Sequence, residues 1–531
     1  MQRNLKEFFT EKIAEKTGLI KIDGELNPLV TGLEYDSRCI KQGNLFFALP
    51  GLHTDGKLYI DDAIKRGAVV IVHENDIVNQ KSEIVYIKVK NSRFAMSPIS
   101  AAFYGFPSRR LLVTGVTGTE GKSTVVYLIW QLLRLLRKKT GFISTVQSCL
   151  GNEEIDNSEH QTTPEAPIIQ KLLFEMAENG CEYAVIESSS HGLSQKTNRL
   201  GDVDFCSGVL TNITHEHLEF HGTWEQYQFD KANLFRAISR YVLPPELSSK
   251  YPGFTAPFGV VNGDDKSAQY VKELMKYKTF LYSSEKTGKL GTSNDAIIES
   301  IESESSGNSY MVNFPEMGQR FEIKDKLPGA YNSQNVLAAV LTVSSLLKLS
   351  VSEVAQQVIN LKPVKGRMTT INKGQPFEVV VDYAHTPSSF QTIFPPLQQR
   401  IKKQGGRIIS LFGSPGERDT QKRYKQGKIA ASYSDLLFLT DEDPRGEDSM
   451  EIINEIARGC HDGKEGLVLD ENLFLIPDRP TAIRKAFSLA KKGDLVILLG
   501  KAHENSIIYA NYVMPFDEIT EAEKALSEMN F

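Results

Sequence analysis

The sequence predicts an α/β protein of three domains, and three observations carry that reading. Continuous apolar runs alternate with helical stretches over most of the 531 residues, the pattern of strands buried on both faces and covered by helices. One such run, at 111–113, enters a glycine-rich turn and leaves it as a helix. The chain is also longer than one core usually serves, which asks for two or three domains.

The first block, 1–108, opens with residues 1–12 patterned as an amphipathic helix. Short strands at 44–48 and 68–72 flank a helix at 59–66, and Pro107 and Ser108 mark a seam. The second block, 109–361, carries strands at 111–113, 183–186, 207–210 and 258–261, with helices at 125–135, 166–178 and 333–347. A mainly parallel sheet follows from runs of this kind. The polar stretch 300–309 reads as an exposed hairpin or loop. A break at 361–366 opens the third block, 362–531, whose strands at 378–381, 407–412, 436–439 and 495–499 form an α/β unit of their own.

Composition excludes several classes. A hydrophobic content of 40%, a charged content of 24% and a net charge of -5 are those of an ordinary globular protein without an electrostatic footprint for nucleic acid. Cys39, Cys149, Cys181, Cys206 and Cys460 are scattered and odd in number. They read as buried thiols in a reducing cytosol rather than as a disulfide framework or a zinc site. The N-terminus lacks the pattern of a signal peptide, no apolar run has the length of a membrane span, and the cytoplasm is the expectation.

The chemistry concentrates in a few stretches. In T-G-V-T-G-T-E-G-K-S-T (114–124), Gly115, Gly118 and Gly121 allow positive φ and close approach of the backbone. Successive N–H groups and the N-terminus of the next helix then converge on a polyphosphate. Lys122 neutralises outer phosphates and the Ser123 hydroxyl suits a magnesium ion. Val116 stands where the common P-loop pattern has its first glycine. The competing reading is an ordinary strand-to-helix turn with a lysine. Glu187 emerges at the carboxyl end of a strand, where ligands bind in open α/β sheets. The stretch T-N-I-T-H-E-H-L-E-F-H-G brings Asn212, His215, His217 and His221 to the same edge. With Ser123 and Glu187 these suit magnesium; a zinc site or a hydrogen-bonded polar edge are the alternatives. Lys231, on a helix, reads by itself as a solvated lysine.

In the third block, D-Y-A-H-T-P (382–387), G-S-P-G-E-R-D-T-Q-K-R (413–423), T-D-E-D-P-R (440–445) and G-K-A-H-E (500–504) each follow a strand. Four polar loops at successive strand ends make a binding surface, where each alone would pass for a solvated loop. Arg445 offers a planar fork to a carboxylate, and Glu442 or Asp443 accepts an ammonium group.

Taken in order, T-G-T-E-G-K-S-T, T-T-P-E, E-S-S-S-H, T-N-I-T-H-E-H-L-E-F-H-G, L-P-G-A-Y-N-S-Q-N, G-R-M, D-Y-A-H-T-P, G-E-R-D-T-Q-K-R, D-P-R and G-K-A-H-E resemble the Mur ligases of bacterial cell-wall synthesis. The resemblance covers nearly the whole chain and is strongest to the branch that adds the third residue, a diamino acid, to UDP-N-acetylmuramoyl-L-alanyl-D-glutamate. Residues 35–48, with Asp55 and Gly56, resemble that branch's uridine-nucleotide domain. The resemblance implies an N-terminal UDP-binding α/β domain (1–108), a central P-loop ATPase-like domain with a mainly parallel sheet (109–361) and a C-terminal Rossmann-like α/β domain for the amino acid (362–531). It implies ATP and Mg2+ as cofactors and small-molecule substrates; no nucleic acid, no membrane insertion and a monomer complete the expectations.

Carried over by motif, Gly118, Thr119, Glu120, Gly121, Lys122, Ser123 and Thr124 form the ATP loop, with Ser123 on a first magnesium and Glu187 and His217 on a second. Lys231 aligns with a lysine that carbon dioxide carbamylates, which converts an ammonium into an anion able to support the metal site. Asn332 and Asn335 resemble adenine-side asparagines, and Arg367, Asp382 and Tyr383 the nucleotide contacts made on domain closure. Ser37 matches a position near the uridine diphosphate, and Thr162, Thr163, Ser190 and Arg199 match positions that hold the muramoyl dipeptide. Arg418, Arg445, Gly500 and Glu504 match the diamino-acid pocket. Two departures stand out: the family's D-N-P-R is E-D-P-R at 442–445, and its G-K-G-H-E carries Ala502. They leave meso-diaminopimelate, L-lysine and L-ornithine all open. The rivals are another Mur ligase, a folylpolyglutamate-synthetase-like ligase and a nucleotide-binding scaffold without catalysis.

Overall fold

The computed structural model describes residues 1–51, 55–157, 161–214, 218–251, 253–254, 256–284, 294–304 and 307–531. The chain divides into two compact units. One comprises Met1–Ile301, Ser309–Lys324 and Ser333–Leu361, the other Glu302–Asn308, Asp325–Asn332 and Lys362–Phe531.

Among the described residues the first unit is built on two large sheets, beside the short pair Arg3–Asn4 and Leu29–Val30. In the smaller, Leu19–Asp23, Val85–Val89, Val70–His73, Asn44–Phe47 and Gly32–Glu34 lie side by side, antiparallel at the first pair and parallel after it. Its core gathers Leu5, Phe8, Leu45, Phe47, Val70 and Ile99. In the larger sheet the parallel strands run in the order Thr140–Ile143, Tyr183–Glu187, Leu112–Thr117, Phe205–Leu210, Phe258–Asn262, Thr279–Ser283 and Ala296–Glu304. The first six of these strands are buried over nearly their full length, which is why they read as unbroken apolar runs rather than alternating ones. The strand Leu112–Thr117 sits between Tyr183–Glu187 and Phe205–Leu210, so the loops after all three open at one edge. Gly115 makes room there: a Cβ on it would lie 2.5 Å from Leu234 Cδ1 of the helix Trp224–Ser239.

The second unit has its own sheet in the order Thr369–Ile371, Glu378–Asp382, Leu495–Leu499, Ile408–Phe412, Leu436–Leu439 and Leu473–Leu475. All neighbours but the first pair are parallel. The loops at 383–387, 413–420, 440–445 and 500–504 therefore leave the sheet from the same edge, as the spacing of polar motifs predicts.

Two expectations need correction. The N-terminal helix is broken into Leu5–Phe8 and Glu11–Thr17, after a strand Arg3–Asn4 that pairs with Leu29–Val30. Phe8 and Phe9 are both buried, and consecutive residues point about 100° apart on one helix, so the chain turns between them to bury both. Cys39 is exposed, while Cys149, Cys181, Cys206 and Cys460 are buried thiols. The polar stretch 300–309, expected as an exposed hairpin or loop, falls on the neighbouring strands Ala296–Glu304 and Gly307–Phe314, in agreement with the hairpin reading, with 305–306 outside the described residues. Among the described residues no helix is long and apolar enough to cross a membrane.

In the second unit the helices Gln421–Tyr433 and Ser449–Gly463 pack backbone to backbone through glycine. A Cβ on Gly427 would lie 2.1 Å from Ile456 O and one on Gly459 2.0 Å from Tyr424 O. Gly459→Ala is expected to destabilise this unit by about 1–3 kcal/mol, read as a lower unfolding temperature, because backbone atoms cannot yield as a flexible side chain does.

Candidate active site

The glycine loop is held from two sides. Gly118 has a φ of +152°, and a Cβ there would lie 1.8 Å from Thr211 Oγ1, so only glycine fits. The end of the neighbouring strand straps the loop down. Glu120 N donates to Asn212 Oδ1 at 2.9 Å, Asn212 Nδ2 donates back to Glu120 O at 3.2 Å, and Thr119 N donates to Asn212 O at 2.7 Å. Thr211 Oγ1 donates to Glu120 O at 2.5 Å, and Thr119 Oγ1 pairs with Tyr227 OH at 3.1 Å. Two ammonium groups lie on the loop's carbonyls: Lys122 Nζ donates to Thr119 O at 2.8 Å and Lys231 Nζ to Gly118 O at 2.5 Å. Thr124 continues the first turn of the helix Lys122–Leu135. Gly121 faces Asn335, whose Oδ1 lies 2.7 Å from where its Cβ would be. Asn332 belongs to the second unit and donates to Pro328 O at 2.7 Å.

Lys231 is 2% exposed, so the solvated reading of it is overturned. Its ammonium lies 4.5 Å from the centre of the Tyr227 ring, and a buried charge of this kind persists only where partners replace its water.

Glu187 ends its strand 1% exposed. Ser123 Oγ donates to Glu187 Oε1 at 3.1 Å, Thr145 N donates to Oε2 at 2.8 Å, and the backbone oxygen accepts from Thr163 Oγ1 at 2.8 Å. Ser123 and Glu187 thus put two oxygen donors side by side at the loop. Among the described residues no three His, Cys, Asp or Glu side chains gather as a ready-made metal cage. A cation that keeps much of its shell as water and phosphate fits such a donor set. His215 and His217 lie outside the described residues. Two other members of the expected cluster are employed differently: Asn212 straps the loop, and His221 bonds Asp230 and Ser190.

Of the positions expected at the dipeptide, Thr163 and Arg199 are joined directly, Arg199 Nη1 donating to Thr163 O at 2.8 Å. Arg199 Nη2 and Arg93 Nη1 share one oxygen of Glu165, at 2.9 and 2.8 Å. Thr162 is half-buried beside them in sequence. Ser190 opens the short helix Ser190–Leu193, and Ser37 is buried in the turn Ser37–Cys39 of the smaller sheet's domain.

In the second unit, Asp382 accepts from Met368 N at 2.8 Å and Ala384 N at 2.7 Å. Burial pushes its carboxyl above the ordinary range, against the pull of Arg367. Arg367 stacks 5.0 Å over the Tyr383 ring, and Tyr383 OH donates to Glu504 Oε1 at 3.0 Å. Lys501 Nζ donates to Asp443 Oδ1 at 2.8 Å and also bonds Glu504. Gly500, with φ +101°, leaves Glu442 Oε2 only 3.0 Å from where a Cβ would sit. That oxygen and Arg445 Nε are buried without a hydrogen-bond partner among the described residues. Arg418 is exposed and takes no part in the contacts joining Asp443, Lys501 and Glu504.

Comparison with known proteins decides the family. The model described as "Mur ligase family, catalytic domain" matches residues 29–104, "Mur ligase middle domain" matches 116–343, and "Mur ligase, glutamate ligase domain" matches 366–502. The UDP-N-acetylmuramyl-tripeptide synthetase of Treponema denticola is 49% identical over 98% of this chain and 98% of its own. The chain belongs to the Mur ligase family. It is therefore an ATP-dependent peptide ligase. The UDP-N-acetylmuramoyl-L-alanyl-D-glutamate--2,6-diaminopimelate ligase of Geobacillus thermodenitrificans is 34% identical over 94% of this chain and 96% of its own. A solved structure of a ligase of that same name shares the fold, with a TM-score of 0.60 at 24% identity over 100% of both chains.

Several working parts of this Mur ligase escape a reading by motif. Glu165 lies in T-T-P-E and Lys501 in G-K-A-H-E, yet only the fold reveals that one clamps two arginines and the other two carboxylates. Arg479 and Glu518 carry no motif at all, and both are fully buried as an ion pair behind the loops. Arg479 donates to Asp441 O and Leu499 O, and Glu518 accepts from Ala502 N. Ala502 itself has φ +44°, a left-handed backbone that the family's glycine adopts without strain and alanine does not.

Burial raises the Glu442 carboxyl above its ordinary value, with Lys422 the largest opposing influence. A carboxyl whose folded pKa exceeds its unfolded pKa costs stability as pH rises through that interval. Glu442→Gln is accordingly expected to raise the ligand-free unfolding temperature at pH 7, the gain shrinking as pH falls toward about 4, the unfolded carboxyl's range. A variant less stable than wild type at both values contradicts this.

Proposed function

We propose that this Mur ligase adds a diamino acid to UDP-N-acetylmuramoyl-L-alanyl-D-glutamate through an acyl phosphate, in the cytoplasm, as a step of peptidoglycan precursor synthesis. The observation that carries the reading is the contact of Ser123 with Glu187 at 3.1 Å beside a loop whose carbonyls hold Lys122 and Lys231. The match at 29–104 supports a Mur-type nucleotide-sugar domain over the folylpolyglutamate rival. Working boundaries are 1–108 for that domain, 109–361 for the ATP domain and 362–531 for the amino-acid domain, in an enzyme acting as a monomer.

A carboxylate is a poor electrophile and needs a leaving group. In the first step a D-glutamate carboxylate oxygen bonds to the γ-phosphorus of ATP while the bond to the β-bridging oxygen breaks and ADP leaves. In the second, the amine of the incoming residue bonds to the acyl carbon, gives up a proton and expels phosphate. Lys122 moves from the Thr119 carbonyl to the outer phosphates, offsetting the repulsion between two anions that must meet. Ser123 and Glu187, with His217, would hold Mg2+, whose charge would further offset that repulsion. Lys231, once carbamylated, would back the metal site as an anion; its burial beside the Gly118 carbonyl supports a role at the loop rather than in solvent. Asn335 and Asn332, with Arg367, Asp382 and Tyr383, serve the nucleotide. Ser37 serves the uridine diphosphate, and Thr162, Thr163, Ser190 and Arg199 serve the dipeptide.

For the amino acid, the unpartnered Glu442 oxygen and Arg445 Nε offer one buried acceptor for an ammonium group and one donor for a carboxylate, together with Asp443, Gly500, Glu504 and Arg418. ADP release measured with the UDP-muramoyl dipeptide against meso-diaminopimelate, L-lysine and L-ornithine identifies the residue added; no release with any of them sinks the proposal.

Lys122→Ala is expected to cut turnover by at least about 10²-fold with the fold unchanged by circular dichroism, and near-normal turnover would contradict the loop's role. Lys231→Ala is expected to be inactive and partly rescued by short carboxylates added in trans. Full activity of the wild type in carbon-dioxide-free buffer would remove the carbamate.

A further inference from the structure

Two buried side chains to which the reaction above gives no task, His221 and Asp230, form a hydrogen-bonded chain with Ser190. Asp230 Oδ2 lies 2.8 Å from His221 Nδ1, and His221 Nε2 lies 3.0 Å from Ser190 Oγ. All three are at most 4% exposed. The imidazole is enclosed by the rings of His191, Phe220 and Tyr227, with centroids 5.4, 4.7 and 5.0 Å away. The other oxygen of Asp230 accepts from Gln226 Nε2 at 3.1 Å, so the carboxylate is fixed at both ends.

For a neutral imidazole, valence sets the direction of each bond. A carboxylate only accepts, so the His221 hydrogen sits on Nδ1. The neutral ring then keeps its lone pair on Nε2. A serine hydroxyl has a single hydrogen, and Nε2 takes it. Ser190 Oγ is left with lone pairs alone for anything else it meets.

We propose that His221 and Asp230 are positioning residues that hold the Ser190 hydroxyl hydrogen, making the Ser190 oxygen an obligatory hydrogen-bond acceptor for an amide N–H of the muramoyl dipeptide. The inference rests on the reading of Ser190 as a dipeptide contact. The connectivity matches that of a nucleophilic serine triad, but here it sets the polarity of one contact and no bond to Ser190 forms.

Asp230→Asn tests it without changing shape. The amide oxygen keeps the Gln226 bond while the amide nitrogen faces His221 Nδ1, which drives the ring hydrogen to Nε2 and turns Ser190 into a donor. In ¹⁵N NMR of the full-length enzyme, His221 Nε2 should be unprotonated in the wild type and protonated in the variant. The KM for the UDP-muramoyl dipeptide should rise about five- to tenfold, the worth of one neutral hydrogen bond, with kcat and the KM for ATP changed by less than about twofold. Ser190→Ala should give a similar rise, and adding Asp230→Asn to it should cost nothing more. A protonated Nε2 in the wild type overturns the proposal even if the variant fails to fold. So does a further rise from Asp230→Asn in the Ser190→Ala background, or a covalent ester trapped on Ser190. An unchanged dipeptide KM in Ser190→Ala, with the NMR result as expected, removes the dipeptide reading on which the inference stands.

Discussion

Glu187 is the constraint on which the geometry of the first unit's strand-end loops depends. One carboxylate oxygen takes the Ser123 hydroxyl of the glycine loop, the other takes the Thr145 amide from the neighbouring strand's turn, and the backbone oxygen takes Thr163. Three segments from different parts of the chain are registered on one residue at a strand end. A buried carboxylate is expensive unless every lone pair has a donor, so its position is over-determined. Thr163 in turn accepts from Ser189 N and its carbonyl holds Arg199, which carries the same registration onward to the positions assigned to the dipeptide.

The second unit solves the opposite problem. In its strand-end loops some buried polar groups, Glu442 Oε2 and Arg445 Nε, have no hydrogen-bond partner among the described residues. Stability comes from behind. Arg479 and Glu518 form a fully buried pair whose remaining donors and acceptors satisfy Asp441 O, Leu499 O and Ala502 N. A buried pair with its spare valences filled holds backbone in place even where it adds little net stability. The strained Ala502 and the left-handed Arg445 sit in the loops this pair supports, as expected where surrounding structure over-determines the backbone.

Much of this was legible in the chain. Parallel strands buried on both faces announce themselves as unbroken apolar runs, and the pattern of the chain alone puts the glycine loop, Glu187 and the four loops of the third block at strand ends. The N-terminal segment was not, because amphipathic spacing does not reveal that Phe8 and Phe9 must both be buried. Lys231 was not either: a lysine on a helix reads as solvated until a carbonyl and an aromatic ring from distant segments are found around its ammonium.

By itself, then, the order of residues determined the sheet architecture, the phosphate-type loop and the identity of the polar groups at the strand ends, because hydrophobic period and glycine placement act over neighbouring positions. Only the tertiary structure decided which polar groups meet: that Asn212 straps a loop, that His221 turns to Ser190 and Asp230, that Glu165 clamps Arg93 and Arg199. Hydrogen bonds reach about 3 Å, and residues scores of positions apart come within that reach only when the sheet has brought their strand ends to one edge.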